Sequence, residues 1–490
     1  MNYYLGIDCG GTFIKAALFD ENGKIHACER ENVAVISEQS GYAERDMPEL
    51  WQVCANVIRR TQKSSKIRPH FIKSVGISAQ GKGAFLLDNE RQPLGRAILS
   101  SDQRAQAIVK RWQSEGLEEK VYALSHQGLW TGHPASILRW LKENEPERYQ
   151  RIGYLLMSHD YLRFCLTGEL YCEESNISES NLYNMTTGQY EPQLARLLGI
   201  EEIAGKLPPI IKGNQIAGYV TEQAAQTCGL TAGTPVVGGL FDVTAMTLCL
   251  ADNQPHKLNV ILGTWSIVTG ISNEIDDQQA WRFAHGRYVE PGKFLIQEAS
   301  PTSAGNLEWF VKQWNLSYEQ INRLIAALPP AQSAVIFLPF LYGTNAKLGM
   351  TAAFYGMQAH HTRAHLLQAV YEGVLFSLMT HLERMYQCFP QVKTLRVTGG
   401  PAKSAVWLQM LADLSGKTLE VPEAEEIGCL GAAIMAAEGV NGNGDALKPH
   451  QAQRVIRPNQ ANFDAYQNKY RRYQKLVKLL EQMAEPLQIS

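Results

Sequence analysis

The chain has 490 residues, which suits two large domains or about two to four smaller ones. Apolar residues make up 45%, an ordinary share for substantial cores, and 46 Lys+Arg nearly balance 48 Asp+Glu. The net charge of −2 excludes the basic stripe of a nucleic-acid binder, and no apolar run approaches the roughly 18–20 residues that span a bilayer.

Nine cysteines are scattered singly without a CxxC pair, which fits a reducing compartment. The N-terminus reaches Asp8 too soon for a signal peptide, so a soluble cytoplasmic protein is expected.

Taken in chain order, Tyr3 to Ile7 and Phe13 to Phe19 read as two strands joined by Asp8-Cys9-Gly10-Gly11-Thr12. Such a turn leaves backbone N–H groups free and can cradle a phosphate, with Mg²⁺ between it and Asp8. A plain Gly-rich hairpin turn explains the same residues. Asp20-Glu21-Asn22-Gly23 turns the chain into a third strand. Residues 46–65 have the spacing of an amphipathic helix (Leu50, Trp51, Cys54, Val57, Ile58), with Pro48 near its start.

Val75 to Ser78 is a short strand entering Ala79-Gln80-Gly81-Lys82-Gly83. Further on, Ser100-Ser101-Asp102-Gln103-Arg104 stands at a strand–helix junction. Asp102 and Arg104 can bind a polyol there, or serve as an N-cap and a solvated cation. A helix is predicted from about Pro134. The polar run Cys172 to Asn181 reads as a loop able to offer hydroxyl-binding groups such as Asn176.

Thr234-Pro235-Val236-Val237 then leads through Gly238-Gly239-Leu240-Phe241 to Asp242 and a helix. A lone carboxylate at a strand end can stand in a cleft and accept a proton from a hydroxyl. Leu258 to Leu262, Gly263-Thr264-Trp265 and Ser266 to Ile271 repeat the strand–Gly-Thr–strand pattern of the beginning, as two related domains would. A long helix is expected from about Thr362 to Cys388. The strand Leu395 to Val397 then runs into Thr398-Gly399-Gly400, where two glycines let a flat ring or phosphate approach the backbone.

Other chemistries fail on spacing. Gly416-Lys417-Thr418 would need a glycine at Leu411 to be a P-loop, and Gly81-x-Gly83 lacks the further glycine at Leu86. His360, His361 and His365 have no acidic or thiol partner at metal-ligand spacing, and no Gly-x-Ser-x-Gly nucleophile occurs.

Taken together, these segments resemble the FGGY family of carbohydrate kinases from end to end. Asp8 to Thr12, Gly238 to Asp242, Leu262-Gly263-Thr264 and Thr398-Gly399-Gly400 with Ser404, Trp407 and Gln409 carry the resemblance. The family's second signature fits well: Ala352-x-Phe354-x-Gly356-Met357, seven residues, then His365-Leu366-x-x-Ala369-Val370-Tyr371-Glu372. The first is met in part, with Ile137 where a Lys is usual.

The resemblance implies an α/β fold of two actin-like (ribonuclease-H-like) domains flanking a catalytic cleft, residues 1–247 for the sugar and 248–490 for ATP. It implies transfer from ATP, with Mg²⁺, to the terminal hydroxyl of a ketose. L-xylulose comes first among the acceptors, 3-keto-L-gulonate stands beside it, and D-xylulose or ribulose are alternatives. An actin-like ATPase without a sugar acceptor is a further alternative. By the same resemblance Asp242 is the base and Asp8 holds the metal. Gly11, Thr12, Lys15, Gly263, Thr264, Gly399, Gly400 and Ser404 bind ATP. Gln80, Gly81, Lys82, Asp102, Arg104 and Asn176 meet the sugar with Asp242. Lys82 can address a substrate carboxylate. The expected partners are sugar and ATP, with no nucleic acid and no membrane, in a possible homodimer.

Overall fold

Two hairpins each found a sheet. The computed structural model describes residues 2–250, 256–263, 265–275, 283–343, 350–422, 425–449 and 452–483. In the first sheet the strand Tyr3–Cys9 pairs antiparallel with Phe13–Asp20, and that strand pairs antiparallel with Ile25–Asn32. On its other side Tyr3–Cys9 runs parallel to Ile72–Ala79, followed by Pro235–Val237 and the antiparallel edge Ile216–Tyr219.

The second sheet repeats that order. Lys257–Leu262 pairs antiparallel with Ser266–Ser272, which pairs with Phe294–Ser300. Lys257–Leu262 also runs parallel to Thr394–Gly399, followed by Thr418–Pro422 and an antiparallel edge, Ala452–Ile456. The faint repeat in the sequence is therefore a repeat of topology, and the expected α/β class with two units is what the structure has.

Helices cover the sheets because the central strands are buried on both faces. Met47–Ser65 begins at Asp46, whose side chain accepts the Glu49 N–H, with Pro48 in the first turn, and it lies over the strands Phe13–Asp20 and Ile25–Asn32. The helix Ile427–Asn441 belongs by chain order to the second half. Yet it crosses the first sheet over Tyr3–Cys9 and Ile72–Ala79, and packs on the helix Asp242–Leu250.

This approach requires glycine: a Cβ on Gly6 or Gly76 would stand 1.8 and 2.0 Å from the carbonyl oxygens of Cys429 and Ala432. Leu430 and Ile434 are buried there, each contributing about 1.5–3 kcal/mol. The expected boundary between 247 and 248 falls inside the helix Asp242–Leu250. No helix among the described residues is long and apolar enough to cross a membrane.

One expectation is corrected. Residues 172–181, expected as a loop, begin with the strand Cys172–Glu173 and the helix Glu174–Ile177, and every residue of the run is buried. Their polar groups serve one another: Glu173 accepts from the Ser175 and Asn176 N–H groups and from the Ser175 hydroxyl. Satisfied in this way, they can be buried at little cost.

Candidate active site

Three strand ends lie side by side in the first sheet. Asp8 is in register with Ser78, and Cys9 with Ala79. On the far side of that strand Leu240 pairs with Ser78 and Phe241 with Ala79, so Asp242 follows directly. Asp8, Gln80 and Asp242 thus leave three adjacent strands at one edge, and the Gln80 N–H donates to the Cys9 carbonyl at 3.0 Å.

Asp242 opens its helix and accepts its neighbour's Val243 N–H at 2.7 Å. Burial, then the Asp8 charge, push its carboxyl up to about 8, against that N–H bond and the nearby Lys82. Asp8 accepts the Ser78 hydroxyl at 2.9 Å. Burial raises its pKa as well, with Ser78 and Lys15 pulling it back.

The first hairpin turn presents Gly11 and Thr12 exposed, and their N–H groups have no acceptor among the described residues. Lys15 is placed opposite Asp8 but is not free: its ammonium holds Glu426 at 2.7 Å. Burial opposes the Lys15 charge, and Glu426 outweighs it, so the net shift is upward.

Of the expected sugar contacts, Gln80, Gly81 and Lys82 lie at this edge. Gly81 is flat against Phe241, where a Cβ would come within 2.4 Å of the ring. Lys82 adopts a left-handed backbone (φ 63°), and its N–H donates to Asn176 Oδ1 at 2.9 Å. Its ammonium pairs with the buried Glu179, 5.0 Å from the centre of the Phe241 ring. Glu179 also accepts Gln297 Nε2, from the second sheet, at 2.5 Å. Next to Lys82, burial and the Lys82 charge hold His133 well below the usual histidine range.

Three sugar candidates are engaged by other protein groups in the structure. Asn176 is fully buried, one end of its amide on the Lys82 N–H and the other 3.3 Å from His159 Nδ1, so it fixes Lys82 rather than facing the pocket. Asp102 and Arg104 bind each other through Nε–Oδ1 and Nη2–Oδ2 contacts of 2.9 Å. Asp102 also takes the Ala43 N–H, and Arg104 takes Glu44 and lies 3.9 Å over Tyr42. Both side chains are 1% exposed, so in this structure the pair forms a closed cluster.

In the second sheet Leu262 pairs with both Ser266 and Gly399, which sets Gly263 beside Gly399-Gly400. Gly399 has φ 101° and sits so close to its neighbour that a Cβ would stand 1.9 Å from the Leu262 carbonyl. Around Gly400 the space is open. The Ser404 hydroxyl caps the helix Ala405–Ser415 by accepting the Trp407 N–H, and it donates to Asn322. Thr264 lies outside the described residues.

Ser78, Glu179, Glu426 and the buried Arg45 were missing from the sequence-based set. Their partners are between 34 and 411 residues away along the chain. No local spacing reveals them.

The two sheets share one topology, and strand ends and Gly-rich turns gather at the edge of each. Residues 3–249 match the N-terminal domain of the FGGY family of carbohydrate kinases, and residues 258–439 match its C-terminal domain. The chain is a carbohydrate kinase and belongs to the FGGY family.

Within it, the chain is 66% identical over 483 residues to a probable L-xylulose kinase of Pasteurella multocida, covering 99% of this chain and 100% of that protein. It is 54% identical over 487 residues to the L-xylulose/3-keto-L-gulonate kinase of Escherichia coli, covering 98% and 97%. The crystal structure of a ligand-bound xylulose kinase from Lactobacillus acidophilus has the same fold, with a TM-score of 0.91 at 20% identity and 98% of each chain covered.

Proposed function

We propose that this kinase transfers the γ-phosphoryl group of ATP to the terminal hydroxyl of L-xylulose, giving L-xylulose 5-phosphate. The observation that carries the reading is the alignment of Asp8, Gln80 and Asp242 at one sheet edge, with the Asp242 carboxyl pushed up to about 8. A carboxyl held near 8 accepts a hydroxyl proton once it is ionised, and is then a stronger base than an ordinary aspartate. Its neighbours suit an anionic donor, because the Gly11 and Thr12 amides are unpartnered.

Asp242 takes the proton of the attacking hydroxyl. Gly11 and Thr12 hold the terminal phosphate, Gly263 and Thr264 the polyphosphate, and Gly399 and Gly400 the adenosine. The unit before residue 248 binds the sugar and the unit after it binds the nucleotide.

Asp8 suits Mg²⁺. Its carboxylate lies beside the turn, and among the described residues no group of three or more His, Cys, Asp or Glu forms a cage, as expected for an ion that completes its shell with phosphates and water. Bound there, Mg²⁺ supplies the positive charge that phosphoryl transfer needs.

L-xylulose is placed ahead of 3-keto-L-gulonate. The Lys82 ammonium is already neutralised by Glu179, and a sugar carboxylate would have to displace that buried partner. D-xylulose and ribulose follow. The enzyme is proposed to act in the cytoplasm as a homodimer, which sedimentation of the purified protein checks.

ADP release with L-xylulose, D-xylulose, ribulose and 3-keto-L-gulonate tests the substrate. Specificity for D-xylulose, or ATP hydrolysis that no sugar stimulates, refutes it. Asp242→Asn should lose about 10²–10⁴ in kcat with ATP binding retained.

A further inference from the structure

Three arginine side chains are buried as deeply as any in the protein: Arg45, Arg104 and Arg163. Two have the expected compensation. Arg104 holds Asp102 and Glu44, and Arg163 holds Asp160 at 3.0 Å. Arg45, 1% exposed, has no carboxylate within ion-pair distance among the described residues. Its Nη2 donates to the Gly11 carbonyl at 2.9 Å, its Nη1 to the Gly10 carbonyl at 3.4 Å, and its Nε is buried without a partner. A desolvated cation without a counter-charge costs several kcal/mol. Stability alone gives no reason to keep one here.

The turn it grips supplies the reason. Gly10 N–H donates to the Phe13 carbonyl, so Gly11 and Thr12 form a two-residue loop. Neither residue has a left-handed φ. The loop is therefore not one of the primed turns that match strand twist and close a short hairpin unaided. Arg45 clamps it from within, drawing two carbonyls inward and leaving the Gly11 and Thr12 N–H groups for a ligand. Its Nη1 also lies 3.9 Å from the Sγ of Cys9, the residue between Asp8 and the turn.

We infer that Arg45 is a positioning residue for the transferred phosphoryl group: it fixes the Gly10-Gly11 peptides and keeps beneath them a positive charge that the incoming phosphate completes. The inference rests on the proposed phosphate role of this turn. Its residue comes from the short strand Glu44–Arg45, just before the cap of the helix Met47–Ser65, so the clamp is anchored by a rigid element.

The test separates the clamp from general stability. Arg45→Gln keeps donors but removes charge, and Arg45→Lys keeps charge but removes the fork. Each is assayed for kcat/KM toward ATP, for the sugar dissociation constant by calorimetry, and for binding of inorganic tripolyphosphate. The expected result for Arg45→Gln is a loss of about 10²-fold in kcat/KM for ATP, as for removal of a fixed donor, with weaker tripolyphosphate binding and unchanged sugar affinity. Arg45→Lys should recover part of it. Undiminished kcat/KM for ATP, or proportional loss of sugar and ATP affinity, overturns the inference. If Arg45→Gln does not fold, Arg45→Lys decides by the same readouts. Asp242→Asn is run in parallel: full turnover there refutes the site itself, whereas an inert Asp242→Asn with an unaltered Arg45→Gln refutes only the clamp.

Discussion

Replacing Asp242 by Asn should make the protein inactive and more stable, for one reason. The native environment raises the Asp242 carboxyl from 3.8 to about 8, first by burial and then by Asp8. Well below pH 3.8 both the folded and unfolded chains carry the proton, and the substitution changes little. Between pH 4 and 8 the unfolded carboxyl ionises while the folded one keeps its proton, so native stability falls by up to about 1.4 kcal/mol per pH unit. Across that window the full cost is about 6 kcal/mol. Asp242 keeps part of its surface in contact with solvent, so the cost realised is smaller than that. The substituted amide is neutral at every pH and escapes it. The assay is urea unfolding of both proteins at pH 5 and pH 8, beside turnover. A stabilisation that grows with pH, joined to a loss of activity, is the expected outcome. Equal stability at pH 8, or retained turnover, would refute the assignment of Asp242 as a strained base.

The acid limb of kcat/KM should follow the same carboxyl, rising as pH passes through it. Lys82→Met removes a charge that lowers the Asp242 pKa and should move the limb to higher pH, whereas Glu179→Gln removes one that raises it and should move the limb down. A pH series on the three proteins checks the signs. Arg104→Leu should destabilise the chain by about 3–5 kcal/mol, because it strands the buried Asp102, yet leave the sugar KM near its wild-type value. Chemical denaturation beside steady-state kinetics checks both. Gly399→Ala should weaken ATP at unchanged sugar affinity, since the new Cβ meets the Leu262 carbonyl and the φ of 101° disfavours it; calorimetric titration reads both.

What the sequence revealed was local. Asp8 and Asp242 could be found because each follows a strand and adjoins glycines, and the two hairpins could be paired because their patterns match. What it hid was set by distance. Lys15 finds Glu426 411 residues on, and nothing near either residue announces the pair. Arg45 is one residue of a two-residue strand, and its partners are carbonyls that carry no side-chain signature. The run 172–181 misled for a different reason. Its composition is that of a loop, but its groups bond within the run and to distant residues such as Lys82 and Gln297, which lets it be buried. Asp102 and Arg104 were ambiguous for a related reason, since a close charged pair can be a site or a closed cluster, and the sequence does not show their burial.

The position of Asp242 also shows which force sets its chemistry. As the first residue of a helix it should be favoured as an anion, by about 0.3–1 kcal/mol. The displacement of its pKa in the opposite direction is worth several times that. Burial and the Asp8 charge therefore outweigh the helix end and its Val243 bond. Of these two, burial belongs to the fold and stays constant, while the Asp8 charge depends on what is bound beside it. Compensating Asp8 with positive charge lowers the Asp242 pKa, toward the ionised form that can accept a proton. Ionisation of Asp242, the proposed base, is thereby tied to the charge at the neighbouring carboxylate, two strands away across one sheet edge.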